Sequence, residues 1–147
     1  MTRRDPRPEP PAMPDRTPRE VFESHLDNRV HGRLDADLDE NYAEDVVLLT
    51  QNSQVRGRDG LRVSADRLAS QLPDAAFAFE AKKVEGPYAF LVWRAWSSTH
   101  RVECGADSFL IRDGRIALQT IHYRLLHADG TECPVQESPG LDRLRDA

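Results

Sequence analysis

The stretch Gly105-Ala-Asp-Ser-Phe-Leu-Ile-Arg-Asp-Gly-Arg-Ile-Ala-Leu-Gln-Thr-Ile-His-Tyr123 decides the fold. An Asp-Gly pair at 113 and 114 stands between two runs in which apolar residues recur. This arrangement is the strongest short-range sequence signal for a β-hairpin. The two strands carry one acid, Asp107, and one histidine, His122, among apolar neighbours. The hairpin is therefore predicted to form the back wall of a pocket.

The register of the hairpin decides whether Asp107 and His122 face the same way. A two-residue turn pairs Asp107 with Thr120 and places His122 on the same face, one diagonal step away. A three-residue turn with a bulge flips the last strand. The residues turned inward are then Gln119, Ile121 and Tyr123. We favour the first register because it buries the apolar residues that follow the turn.

Composition indicates one domain without a basic surface. The chain has 147 residues and a formal net charge of -5, so nothing favours nucleic acid as a partner. No apolar run approaches the roughly 18 residues of a membrane span, and the start of the chain does not resemble a secretory signal. Cys104 and Cys133 have no metal-ligand spacing and are predicted to be free thiols. We expect a cytoplasmic protein that does not bind membranes.

The composition changes at both ends of the chain. Residues 1–16 are rich in proline and arginine and poor in large apolar residues, so a disordered tail is predicted. Residues 131–147 contain proline, glycine and charged residues, and a loose C-terminal tail is predicted there. One folded domain is expected between them, at 17–130.

Hydrophobic periodicity, together with capping and turn residues, predicts helices followed by strands within this domain. The predicted helices, with N-caps at Thr17, Asp35 and Asp59, lie at about 18–31, 35–43 and 60–72. The predicted strands lie at about 46–50, 75–85, 88–98, 101–112 and 115–126.

Short links between the last four strands predict an antiparallel meander. Strands of this length twist and bend, which gives the sheet a concave face, and helices with one apolar side must cover part of it. The predicted fold class is therefore α+β. It is a cone in which three N-terminal helices lie over a curved, mainly antiparallel sheet, with an open mouth and a cavity.

Three short motifs, together with the opening of the first helix, resemble a known family. They are Asn-Tyr-Ala-Glu-Asp-Val-Val at 41–47, Val-Arg-Gly-Arg-Asp-Gly at 55–60, and the hairpin from 107 to 123. In this order they resemble the SnoaL-like branch of the nuclear transport factor 2-like superfamily, which has a ketosteroid isomerase-like cone fold. The resemblance implies a pocket for a small apolar molecule and a homodimer packed through the outer face of the sheet. The superfamily includes isomerases, cyclases, hydrolases, dehydratases and binding proteins, so it implies function only broadly.

The resemblance also assigns roles to particular positions. In ketosteroid isomerase an aspartate acts as the base, while a tyrosine and a protonated aspartic acid form the oxyanion hole. By resemblance the base falls near Thr50, the acid on Asp107 and the tyrosine near His25. Thr50 cannot accept a proton at neutral pH, so isomerisation of the ketosteroid type would need another base.

The residues and the resemblance together predict a small-molecule pocket protein of the SnoaL-like type. The resemblance implies a cofactor-free acid/base enzyme of isomerase, cyclase, hydrolase or dehydratase type that acts on an apolar ligand. Asp107 and His122 are the predicted acid/base groups, and His25 assists them from the first helix. No metal is predicted at these three residues. The expected ligand contacts are Tyr42, Thr50, Trp96 and Phe109. The alternative is a non-catalytic ligand-binding or dimeric interaction module, which the absence of an acid at position 50 favours.

The two tryptophans leave one further alternative open. Trp93 and Trp96 lie in one predicted strand but on opposite faces, so only one can line the pocket. Arg94 shares the face of Trp96. If that face points inward, Arg94 would neutralise Asp107 and remove its role as an acid.

Overall fold

The structure is a computed structural model, and it describes residues 15–133. The predictions for most of both tails, at 1–14 and 134–147, lie outside the described residues. The helices are α1 (Pro18–Val30), α2 (Leu34–Asn41) and α3 (Arg58–Gln71). The strands are β1 (Tyr42–Thr50), β2 (Ser53–Arg56), β3 (Ala76–Glu85), β4 (Tyr88–Trp96), β5 (His100–Arg112) and β6 (Arg115–His127).

The predicted α+β cone is confirmed. Three helices lie over one six-stranded sheet with the strand order β2-β1-β6-β5-β4-β3. The strand β1 runs parallel to β6, and every other neighbouring pair of these strands is antiparallel. The main core is formed by apolar residues of the helices and of the inner sheet face, and it includes Phe22, Leu38 and Ile111.

The start of α1 follows its sequence signal, whereas the other two helices begin earlier than predicted. Thr17 Oγ1 accepts a hydrogen bond from the Glu20 amide at 3.1 Å, and Glu20 Oε1 accepts one from the Thr17 amide at 2.9 Å. The N-caps of α2 and α3 are Arg33 and Gly57, neither with a side-chain capping bond, so the predicted caps two residues later are wrong. Both acids lie in the first helical turn, where negative charge still stabilises the helix.

The short strand β2 was not predicted. Its four residues pair antiparallel with the end of β1, from Val47↔Arg56 to Thr50↔Ser53. A segment of this length with one apolar residue gives no alternating pattern, so only its pairing with β1 defines it as a strand.

The preferred register of the hairpin is wrong. The turn has two residues, and Asp113 and Gly114 have φ values of 54° and 73°, as a type I′ turn requires. After Ile111 pairs with Ile116, however, Leu110 pairs with Leu118, which leaves Ala117 as the extra residue of a bulge. The bulge flips the remainder of β6, so its inward set is the one expected of the alternative register.

A second irregularity brings Trp93 into the core. Cys104 has a φ of 57°, and the pairing of β5 with β4 shifts beside it so that Trp93 lies opposite Gly105. The indole packs directly on that glycine, since a Cβ added to Gly105 would lie 2.5 Å from Trp93 Cε2. Glycine is needed at position 105 because the indole ring lies too close to the backbone for any side chain.

Both predicted tails contribute contacts at their inner ends. Arg16 donates hydrogen bonds to the Glu40 carbonyl and to the Gly114 carbonyl, each at 2.7 Å. Glu132 forms a bridge with Leu126. Arg16 and Glu132 therefore contact the domain from just outside the predicted limits of 17 and 130. No helix within residues 15–133 is long and apolar enough to cross a membrane.

Gly105→Ala should destabilise the domain by about 1–3 kcal/mol, the usual cost of overpacking a core. Urea denaturation measures this loss. In a Trp96→Phe background, Trp93 is the sole fluorophore of its kind, and its emission should change because the indole is displaced.

Gly32→Ala is the matched control, because an added Cβ there has no atom within 4 Å and meets only the strain of a φ of +70°. It should leave the Trp93 emission unchanged. A Gly105→Ala variant with wild-type stability and emission would contradict the packing described here.

Candidate functional site

A small cavity lies between the helices and the inner face of the sheet. Its volume is about 70 Å³, room for a few waters or a small fragment, and far below the ~300–1,000 Å³ of common ligand pockets. Its lining is largely apolar and comes from α1, α3 and β3 to β6. The lining residues are His25, Leu26, Arg29, Val30, Leu68, Phe77, Phe79, Leu91, Trp93, Asp107, Gln119 and Ile121.

This cavity adjoins a wider groove at the mouth of the cone. The groove has a volume of about 540 Å³ and lies between the end of α1, α3 and the start of β3. Four residues line both spaces: Arg29, Val30, Leu68 and Phe77. The cavity and the groove are therefore neighbours with part of their lining in common.

Asp107 lines the cavity, on the inward face where the sequence analysis expected it. It is 6% exposed, and each carboxylate oxygen accepts one hydrogen bond. Trp93 Nε1 donates to Oδ1 at 2.9 Å, and Gln119 Nε2 donates to Oδ2 at 3.1 Å. Burial raises the pKa of Asp107 to about 6, although these two bonds and the nearby His25 oppose the rise. The carboxyl group therefore changes its protonation state close to neutral pH.

Gln119 connects Asp107 to a buried tyrosine. The hydroxyl group of Tyr42 donates a short hydrogen bond to Gln119 Oε1, while the amide nitrogen serves Asp107. Burial raises the pKa of Tyr42 well above its usual value, so the tyrosine remains a neutral donor. A leucine facing inward in place of Gln119 would remove the acceptor that Gln119 offers to the Tyr42 hydroxyl group and the donor on Asp107 Oδ2, and both losses are costly in a core. This is a physical reason for the bulged register.

His25 is also buried, and it is held by an acid of α2. Its Nδ1 lies 2.8 Å from Asp37 Oδ2, and Asp37 accepts a second bond from Asn41 Nδ2 at 2.9 Å. Asp37 is fully buried, although it lies in the first turn of α2 among other acidic residues. Within residues 15–133 no hydrogen-bond partner is found for the other ring nitrogen, Nε2. His25 is one of the residues that line the cavity.

His122 does not share the wall with Asp107. In the bulged register it pairs with Ala106, and its side chain is exposed on the other face of the sheet. The predicted Asp107–His122 pair is therefore wrong, because one extra residue in β6 reverses every side chain that follows it. The structure instead brings Asp107 together with Gln119 and places His25 on the same cavity.

Trp96 is another predicted contact that lies outside the cavity. It is 42% exposed, and its ring lies 5.1 Å from the guanidinium carbon of Arg94. Arg94 is itself within 3.6 Å of Glu80, so it does not neutralise Asp107. Trp93 is the inward tryptophan.

The remaining predicted contacts differ in their positions. Tyr42 reaches the site through Gln119. Thr50 hydrogen-bonds Asn52 and Ser53 in the turn after β1, and it does not line the cavity. Phe109 packs against the His25 ring, with ring centroids 5.3 Å apart.

Sequence reasoning missed Gln119, Trp93 and Asp37 as parts of the site. Gln119 is a polar residue in an otherwise apolar strand, which is a signal that the sequence does carry. It was not selected because the preferred register turned it outward. Nothing in the local sequence distinguishes Asp37 from its acidic neighbours. Its partnership with His25 depends on how α1 and α2 pack.

The fold agrees with a comparison of the sequence with known families. The model of the SnoaL-like domain matches residues 22–119, which is more than half of the chain. The protein therefore belongs to the SnoaL-like family.

Solved structures share the fold at low sequence identity. A nuclear transport factor 2-like protein of unknown function from Burkholderia xenovorans LB400 is 19% identical, with 90% of this chain and 94% of that chain covered and a TM-score of 0.61. A protein from Kribbella flavida DSM 17836, provisionally assigned as a ketosteroid isomerase, is 16% identical, with 86% of each chain covered and a TM-score of 0.61.

A third similar structure is a provisionally assigned polyketide cyclase from Sinorhizobium meliloti. It is 19% identical, with 69% of this chain and 93% of that chain covered and a TM-score of 0.57. No curated protein matches the sequence significantly. At these identities the structural matches establish the fold and leave the reaction to be argued from the site.

The raised pKa of Asp107 predicts a specific dependence of stability on pH. The native carboxyl group holds its proton up to about pH 6, whereas the unfolded group loses it near the ordinary value of about 3.9. The native state therefore binds more protons between these values, and its stability falls as the pH rises through them. Above pH 6 the buried Asp107 carboxylate lowers the free energy of unfolding by up to about 3 kcal/mol.

Asp107→Asn removes this cost. Relative to the wild type, the variant should gain up to about 3 kcal/mol in free energy of unfolding between pH 4 and pH 7. Urea titrations across this range provide the measurement. Ser108→Ala, a neutral change one residue away, should show a constant difference from the wild type. A constant difference for Asp107→Asn would contradict the shifted pKa.

Proposed function

We propose that this protein is a cofactor-free acid/base enzyme that moves a proton on a carbon next to a carbonyl group of an apolar, cyclic ligand. One observation carries the proposal: Asp107 and His25, each held by its own buried partners, line the same largely apolar cavity. Titratable side chains held in fixed positions are what general acid–base catalysis needs. Membership of the SnoaL-like family supports this class of function.

Asp107 is the base in this proposal. At neutral pH its carboxylate can accept a carbon-bound proton, and Trp93 and Gln119 hold both oxygens in place meanwhile. The apolar lining excludes water that would compete for the proton. Asp107 therefore supplies the base that Thr50 does not provide.

His25 acts on the carbonyl oxygen. Asp37 accepts the Nδ1 proton and so orients the ring. When Nε2 also carries a proton, it can donate that proton to the oxygen on which negative charge develops. The proton taken by Asp107 can then return to another carbon of the same ligand, which is an isomerisation, or the enolate can attack a second carbonyl, which is a cyclisation.

The shape of the site describes the ligand. Aromatic rings of Phe77, Phe79 and Trp93 line the cavity and suit a flat ring. The narrow cavity takes the reacting end, and the groove takes the rest. Arg29 lines both spaces, and its guanidinium has no ion-pair or hydrogen-bond partner among the described residues. A carboxylate or another acidic group on the ligand is the natural partner of Arg29.

A binding module without catalysis is the second candidate. The small volume of the cavity, about 70 Å³, favours it. So do the two donors that already occupy the Asp107 oxygens. The two candidates differ in whether a bound ketone loses its α-protons.

Proton abstraction can be measured before the natural substrate is known. The probe is 2-tetralone, a bicyclic ketone, whose α-protons are followed by NMR as they exchange in deuterated buffer. The wild-type protein should accelerate this exchange, with a rate that rises with pH through about 6 as Asp107 ionises. Asp107→Asn and His25→Gln should each slow it by at least about 100-fold.

His122→Gln is the matched control for His25→Gln, since it makes the same change on the outer face of the sheet. It should exchange the probe at the wild-type rate. Wild-type rates in Asp107→Asn would refute the catalytic assignment. Binding of the probe without any acceleration by the wild type would favour the binding module.

Arg29→Gln should weaken the binding of 2-naphthoate several-fold, because it removes the charge that faces a ligand carboxylate. It should change the affinity for the uncharged 2-tetralone little. Calorimetric titration measures both affinities. Arg19→Gln alters an exposed arginine at the other end of α1 and should affect neither. Equal losses for both probes would show that Arg29 acts through packing alone.

A further inference from the structure

Two histidines and a cysteine meet at the end of the sheet, away from the cavity. They are His100 at the start of β5, His127 at the end of β6, and Cys133, which follows the next turn. One ligand atom of each residue lies within 4.8 Å of those of the other two. Both cysteines of the chain are free thiols, as predicted, but the sequence analysis found no metal-ligand spacing around them.

The β5–β6 ladder fixes the two histidines. His100 pairs with His127, and two residues further in Val102 pairs with Leu125. Alternate residues of a strand share a face, and Val102 and Leu125 are 1% and 5% exposed, so the histidines continue the core-facing side of the sheet. Their ring centroids lie 5.2 Å apart.

The turn after β6 returns Cys133 to the same place. The His127 amide donates to the Thr131 carbonyl at 2.8 Å, and Glu132 bridges to Leu126. The thiol group of Cys133 then lies 3.3 Å from the Leu125 carbonyl oxygen. The Ala128 amide also donates to the Thr99 carbonyl at 2.8 Å, which ties this turn to the turn before β5.

The chemistry of the three donors suits a particular ion. Two imidazole nitrogens and one thiolate form a donor set that zinc-class ions prefer to calcium or magnesium. Thr99 Oγ1 lies 2.9 Å from Nδ1 of His100, and a hydroxyl group that accepts the Nδ1 proton leaves Nε2 with the free lone pair. Such a bond to the outer nitrogen is the usual support of a metal-binding histidine.

We infer that His100, His127 and Cys133 form a binding site for a divalent transition-metal ion of the zinc class. In a tetrahedral site the nitrogen and sulfur ligands are about 3.4–3.6 Å apart, so ligand atoms within 4.8 Å of one another need to close by no more than about 1.4 Å around the ion. Cys133 gives up its thiol proton to solvent when it binds. A water molecule takes the fourth position. The ion would tie the segment after β6 to both long strands, and its site is separate from Asp107 and His25.

Cobalt provides a direct probe, because tetrahedral Co²⁺ with a thiolate ligand has visible ligand-field bands and a near-ultraviolet sulfur-to-cobalt band. The full-length protein, freed of metal with a chelator, should develop both bands at one Co²⁺ per chain, and Zn²⁺ should abolish them. Cys133→Ser should remove the sulfur-to-cobalt band. His127→Gln should weaken Co²⁺ binding by at least about 10-fold, since even the loss of an outer partner has this effect.

Cys104→Ser is the matched control, because Cys104 is the other free thiol and is exposed on β5. It should retain both bands and the rise in melting temperature that Zn²⁺ produces in the wild type. Loss of the sulfur band in Cys104→Ser, its persistence in Cys133→Ser, or the absence of any Co²⁺ spectrum from the wild type would each overturn the inference. Circular dichroism of each variant shows that it is folded, and the wild-type titration decides the question without any variant.

Discussion

The site depends on the buried amide of Gln119. Its nitrogen donates to Asp107 at 3.1 Å, and its oxygen accepts from Tyr42. The Asp107 carboxylate and the Tyr42 hydroxyl group are both buried, so leaving either without a hydrogen-bond partner would destabilise the fold. The amide can serve both only if β6 turns Gln119 inward, and the bulge at Ala117 allows this. The register of β6 and the hydrogen bonding of the buried polar groups therefore depend on each other.

The same constraint separates two kinds of polar residue on the hairpin. Inward, Asp107 is desolvated and held by fixed donors, which brings its protonation equilibrium close to neutral pH. Outward, His122 is exposed and meets no such environment. His25, in contrast, is buried together with Asp37 of α2, which orients its ring. Asp107 and His25, which line the same cavity, thus come from a strand and a helix that are far apart in the chain.

Gly105 shows how a missing side chain can organise a site. The absence of a Cβ lets the Trp93 indole lie against the β5 backbone, where its Nε1 reaches Asp107. A shift in strand pairing beside Cys104 sets the position. The two irregularities of β5 and β6 thus supply the two donors that hold the Asp107 carboxylate.

The sequence by itself determined the fold class, the hairpin turn at Asp113-Gly114 and the start of α1, because each follows from local patterns of period, turn chemistry and capping. Tertiary structure decided the partners of Asp107, the burial of Asp37 and the meeting of Cys133 with two histidines. A one-residue bulge leaves no mark in hydrophobic periodicity yet exchanges the two faces of a strand. Contacts between distant segments depend on how the elements pack, and no local pattern carries that information.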